Sequence, residues 1–177
     1  MKIETQTSEE RVQLGKLIEH MHVAMLTTTS ESGELLSRPM APLEMAGDGS
    51  IWFFTDLQSA KVKQLRLLNL AFVDADRGTY VSISAHGEIH TDRAHIKRLW
   101  TLAAKPWFPD GPDSPNLCLL KIVPTAAEYW DAPHSKMVRM FAMAAAIVTG
   151  NPAGLGENEV LNKLAAPASA SSPKGIK

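Results

Sequence analysis

A single cysteine in 177 residues leaves no disulfide framework and no thiolate metal site. Cys118 stands among Leu117, Leu119 and Leu120 and reads as a small buried apolar side chain, in keeping with a reducing compartment. Neither charge sign dominates: 18 Lys plus Arg face 19 Asp plus Glu, so there is no electrostatic case for a nucleic-acid or membrane partner. A small soluble ligand is the better expectation. The longest apolar run, Met140 to Val148, falls far short of the ~20 residues that span a bilayer. The opening Met-Lys-Ile-Glu-Thr-Gln-Thr is too polar for a signal peptide, and a cytoplasmic protein is expected. Also missing are a Ser-His-Asp order and a strong carboxylate pair, so no residue reads as general acid, base or nucleophile. His20, His22, His86, His90 and His95 are scattered without ligand spacing, and no metal site is expected.

What is present is enough chain for one core and a pattern of short strands. Ser8 is placed to cap a first helix carrying Leu14, Leu17 and Ile18, with Glu9 and Glu10 in its first turn. Strands are expected at 22–29, 35–44, 50–55, 69–74 and 79–88, then at 117–123 and 126–130 on either side of Pro124. The 79–88 segment alternates, Val81, Ile83 and Ala85 to one side and Ser82, Ser84 and His86 to the other. Asp92 should cap a helix over 93–104, followed by a proline-stiffened loop that holds Trp107 and Phe108. Helical spacing recurs over 134–148, with Met137, Met140 and Met143 on one stripe, and weakly over 157–164. The Ala, Ser, Pro and Lys composition of 165–177 predicts a disordered tail. The domain reading is thus a mainly β antiparallel barrel over 1–131 with inserted helices, a helical extension over 132–164, and the tail.

One stretch organises the rest. Arg38 lies on a strand whose Pro39 and Pro42 cannot donate to a ladder, which predicts an open edge. Ser59 precedes the helix-forming run Ala60 to Leu68, and Lys61 lies in its first turn. A hydroxyl, two cations and the free N–H groups of a helix start would make a phosphate site from three elements. On spacing alone, an ordinary surface arginine and an ordinary helix cap read equally well.

Met25-Leu-Thr-Thr28, Ser37-Arg-Pro-Met40, Ile51-Trp-Phe-Phe-Thr55, Ser59-Ala-Lys61, Tyr80-Val-Ser-Ile-Ser84, Asp92-Arg93, Leu99-Trp100, Trp107-Phe-Pro109 and Glu128-Tyr-Trp-Asp131 follow one another in order. Their succession resembles the general stress protein branch of the pyridoxamine 5′-phosphate oxidase-like flavin-binding split barrels. The resemblance covers about residues 8–131. It implies an antiparallel split β-barrel that forms a homodimer, with flavin mononucleotide (FMN) in two clefts at the subunit interface. Carried over, Arg38, Ser59 and Lys61 would hold the phosphate. Main chain at Pro39, Met40, Phe54 and Thr55 would run along the flavin ring, Ser82 or Ser84 would join from a neighbouring strand, and Trp107 would cover the ring from the partner subunit.

Leu43 is followed by Glu44, where the true oxidase has a hydrophobic run and a lysine, and the oxidase's C-terminal end, which carries Arg and His for its substrate, has no counterpart in the Met- and Ala-rich stretch after Asp131. The resemblance therefore implies flavin binding without pyridoxamine phosphate oxidation. An oxidoreductase on a small substrate with a nicotinamide donor is the first expectation. A flavin holder or sensor without turnover, and a haem-binding split barrel, are its competitors.

Overall fold

The computed structural model describes residues 1–131, 157–162 and 164. Its strands are β1 (Lys2–Ile3), β2 (Ala24–Thr29), β3 (Leu35–Met40), β4 (Glu44–Met45), β5 (Ile51–Asp56), β6 (Leu68–Asp74), β7 (Thr79–His90), β8 (Leu117–Asp131) and β9 (Glu157–Asn162). Among the described residues two α-helices, α1 (Glu9–Ile18) and α2 (Arg93–Leu99), are inserted between them. The strands form one sheet in the order β1-β4-β5-β8-β7-β6-β2-β3, with β9 added to β8. All pairings are antiparallel except β1 with β4.

Alternation sends Leu26, Leu70, Phe72, Val81, Ile83, Phe53 and Leu120 to one face, where they meet Leu14 and Ile18 of α1 in a single cluster. Strands from both halves of the sheet share this core, so the sheet curls on itself. Its end strands, β1 and β3, are not hydrogen-bonded to each other. The result is a split barrel. Each fully buried Phe or Leu in it contributes about 1.5–3 kcal/mol of apolar burial.

β5 is buried on both faces, which is why Ile51-Trp-Phe-Phe reads as a continuous apolar run rather than an alternating one. Trp52 and Phe54 point outward and pack with Leu117, Leu119 and Ile96 of α2. α2 is fixed in place by Arg98, whose guanidinium donates to both oxygens of buried Glu44 at 2.8 Å. At its N-terminus Asp92 caps Ala94 N–H, as expected. The neighbouring Arg93 donates to the carbonyls of Pro112, Ser114, Pro115 and Leu117 at 2.8–3.5 Å. That single guanidinium holds the proline loop.

Several expectations are corrected. Ser59 does not cap an α-helix: the chain makes only a 3₁₀ turn over Ala60–Lys63, and the Ser59 hydroxyl makes no cap hydrogen bond. Leu68 instead starts β6, and the Leu65 carbonyl accepts from Gly87 N–H at 2.7 Å, so tertiary pairing pulls 64–68 out of helical form. α2 stops at Leu99 and a separate 3₁₀ turn covers Leu102–Ala104, where one helix over 93–104 was expected. Pro124 does not break the strand. Ser84 faces Ala126 and Ala85 faces Pro124, so Thr125 is an extra residue in a bulge, where a missing N–H costs no ladder bond. The Thr125 hydroxyl donates to the Ser84 carbonyl at 2.9 Å and steadies the bulge. The weak helical reading of 157–164 gives way to β9, which pairs with Ala126–Asp131. The helix expected over 134–148, its methionine stripe and the tail over 165–177 lie outside the described residues.

Candidate functional site

β3 is an edge strand that pairs only with β2 among the described residues, and Pro39 lies within it. Arg38 is registered against Leu26, a core residue, so its side chain is on the inner face of the barrel. Its Nη1 is buried and has no hydrogen-bond partner among the described residues. A desolvated guanidinium nitrogen left unpaired costs free energy that an incoming anion recovers.

Lys61 comes to the same end of the barrel from the 3₁₀ turn and donates to the Ser59 hydroxyl at 3.0 Å. Burial lowers the Lys61 pKa, and the positive charge of Arg38 lowers it further, with Cys118 and Asp56 acting in the opposite sense. Two cations within electrostatic reach of each other and partly out of water are a receptor for negative charge.

Thr55 follows Ile51 and Phe53 along the inner face of β5 and is 2% exposed. Its hydroxyl is a second buried polar group with no hydrogen-bond partner among the described residues. Opposite it, Cys118 donates its S–H to the Thr55 carbonyl at 3.4 Å. Burial, and then Asp56, push the Cys118 pKa up to about 11, so it is a neutral thiol and no nucleophile at physiological pH. The expectation had assigned only the main chain of Thr55 to a ligand. The signal for the side chain was a hydroxyl at an inward position of a strand otherwise filled by Ile51 and Phe53.

The arrangement fits a phosphate group: a guanidinium nitrogen unpaired among the described residues, a half-buried ammonium already oriented by a hydroxyl, and the Thr55 hydroxyl on the strand position paired with Cys118, which acts electrostatically on Lys61. Of the expected residues, one chain therefore brings Arg38, Ser59, Lys61 and Thr55 to one end. Met40 also faces inward and packs on the core, while Pro39 is exposed on the outer face. The Phe54 side chain points outward, with its ring 5.6 Å from Trp100 and 6.0 Å from Phe108. Ser82 and Ser84 are not on the Arg38 side of the sheet: they alternate with core residues Val81, Ile83 and Ala85, and Ser82 accepts from Asn69 at 2.8 Å. Trp107 is 73% exposed on the proline loop. His86 and His90 lie on the outer face, at 3.9 and 3.3 Å from Glu88. Among the described residues no cluster of three or more such groups is arranged to hold a metal ion, and no helix is long and apolar enough to cross a membrane.

The fold is that of a split-barrel protein, with Arg38, Lys61 and Ser59 gathered at one end. Residues 9–153 match the family described as pyridoxamine 5′-phosphate oxidase like, and the chain belongs to that family. It is 28% identical over 141 residues to Protein bli-3 of Neurospora crassa, covering 73% of this chain and 68% of that protein. Among solved structures, a protein assigned as general stress protein 26 from Jannaschia sp. CCS1 is 25% identical with a TM-score of 0.67, over 84% of this chain and 94% of that one. The general stress FMN/FAD binding protein from Xanthomonas citri is 31% identical with a TM-score of 0.58, over 71% and 90% of the two chains.

Proposed function

We propose that this protein binds FMN, with Arg38 and Lys61 on the phosphate, and uses it as an oxidoreductase on a small substrate. The observation that carries the reading is the buried, unpaired Nη1 of Arg38 on the inner face beside the Lys61–Ser59 pair. The Xanthomonas citri relative, described as an FMN/FAD binding protein, supports a flavin as the anion's owner.

When bound, the flavin would supply the electron or hydride transfer. The chain's own residues bind and orient. Arg38 and Lys61 neutralise the phosphate, Ser59 directs the ammonium, and the β3 edge offers main-chain groups to the polar rim of the ring. Ser82, Ser84 and Trp107 serve a ligand in this reading only across a subunit interface, which makes a homodimer part of the proposal. In support, the outer sheet face exposes Val73, Tyr80 and Trp130 in one cross-strand row. Cytoplasmic location belongs to the same proposal.

A spectrum and mass analysis of what co-purifies tests it: flavin absorption and the mass of FMN are expected. A Soret band would give the site to haem instead, and a protein that takes up no FMN in a calorimeter would refute the reading. Consumption of reduced nicotinamide with an electron acceptor separates an enzyme from a flavin holder, for which no turnover would be seen.

A further inference from the structure

The segment between β5 and β6 is a strap across the barrel end, and it carries Lys61. Its sequence gives it little internal structure: one four-residue 3₁₀ turn, closed by Gln64 N–H donating to the Lys61 carbonyl at 2.9 Å. What fixes its path is pairing to the sheet. The Thr28 hydroxyl, on a side chain 1% exposed, donates to Gln64 Oε1 at 2.9 Å. Thr28 is two residues from Leu26, the cross-strand neighbour of Arg38, and so lies on the same inner face one step along β2. A second tie is Gly87 N–H to the Leu65 carbonyl, at 2.7 Å.

We propose that Thr28 and Gln64 are positioning residues for the phosphate site. Through one side-chain bond and one main-chain bond they set Lys61 relative to Arg38, and thereby give the site its selectivity for a phosphorylated over an unphosphorylated flavin. The inference rests on the reading of Arg38 and Lys61 as the phosphate site. Its physical basis is that a charge-assisted contact loses strength steeply once a donor moves out of hydrogen-bond range. A lysine on a strap released from β2 keeps its charge but loses its fixed place. Gln64 is suited to this work because its amide oxygen accepts from a threonine without placing a competing negative charge beside Lys61, as a glutamate would.

The test compares dissociation constants for FMN and riboflavin, by flavin fluorescence, in the full-length protein and its Thr28→Val, Thr28→Ser and Gln64→Met variants, with Arg38→Met as reference. Val removes only the hydroxyl at near-constant volume, and Ser restores it. Expected is an FMN preference reduced about tenfold in Thr28→Val and Gln64→Met, the scale of one weakened charged hydrogen bond, with riboflavin affinity unchanged and preference restored in Thr28→Ser. A purely structural role would weaken both flavins together, and that result overturns the inference. An intact preference in Thr28→Val and Gln64→Met while Arg38→Met loses it also overturns the inference but leaves the phosphate site standing. An intact preference in Arg38→Met refutes the phosphate assignment itself. Should Thr28→Val fail to fold, Gln64→Met at the half-buried end of the bond decides the matter alone.

Discussion

Replacing Arg38 by Met separates two effects that a structural arginine would combine. The Nη1 atom is buried on the inner barrel face without a partner among the described residues, and the nearby Lys61 charge is repelled by it. Removing the guanidinium therefore deletes an unpaid desolvation and a like-charge repulsion, while methionine retains the length that packs along the barrel end. The ligand-free protein is expected to melt at the same temperature or higher. FMN loses a charged hydrogen bond made in a desolvated setting, about 1.5–3 kcal/mol, so its dissociation constant should rise about 10- to 150-fold. Calorimetry and thermal melting on the same samples give both numbers. The Lys61 pKa should rise toward its ordinary value of 10.5 in the variant, because one of the two causes that lower it is gone. In the parent protein FMN affinity should climb as pH rises through ~6, where the phosphate loses its second proton, and fall again as pH passes the depressed Lys61 value. An apo protein destabilised by Arg38→Met, with FMN affinity intact, would show that the guanidinium serves the fold and that the reasoning is mistaken.

Acid should loosen α2 first. The Arg98 hydrogen bonds hold the Glu44 pKa below 4.5, so that stability is present above the ordinary value and is lost as pH falls through the folded one; Glu44→Gln should cost about 1–3 kcal/mol in urea melts, discounted for the half-exposed Arg98, and flatten that acid limb. His95 adds in the same direction, because burial and then Arg98 lower its pKa below 6.5, and its destabilising effect grows as pH falls through that range. Gly87→Ala would put a Cβ 3.1 Å from atoms of both Leu65 and Leu120, lifting the strap; a weaker FMN affinity with the fold retained is expected, and unaltered affinity would show that the strap absorbs the change. Light scattering on the FMN-loaded protein should return twice the chain mass, and a monomer with flavin bound would contradict the interface proposal.

Much of the barrel was legible because β2, β6 and β7 alternate and their turns carry glycine where the backbone needs positive φ, as at Gly78 (75°). Two of the caps, Ser8 and Asp92, were equally legible because they act locally, whereas Ser59 was not, its helix being undone by distant pairing. Illegible were segments whose form is decided by distant partners. Ala60–Leu68 has helix-forming residues, yet Thr28 and Gly87 claim Gln64 and Leu65. Pro124 looks like a strand end until the bulge opposite Ser84 and Ala85 makes its missing N–H harmless. β9 forms because β5 starts at Ile51, opposite Ile122, and leaves the rest of that β8 edge open for a later segment. At the site, Arg38 and Lys61 were visible as charges, but the loneliness of Nη1 and of the Thr55 hydroxyl belongs to three dimensions.

Arg93 satisfies main-chain oxygens of Pro112, Ser114, Pro115 and Leu117 with one side chain, much as a captured ion would, and it does so before any ligand arrives. The later half of the loop that follows Trp107 and Phe108 thus has its entropy of ordering charged to folding rather than to association. Whatever settles beside that stretch meets a surface already set, and its affinity is spared the toll of freezing a wandering loop.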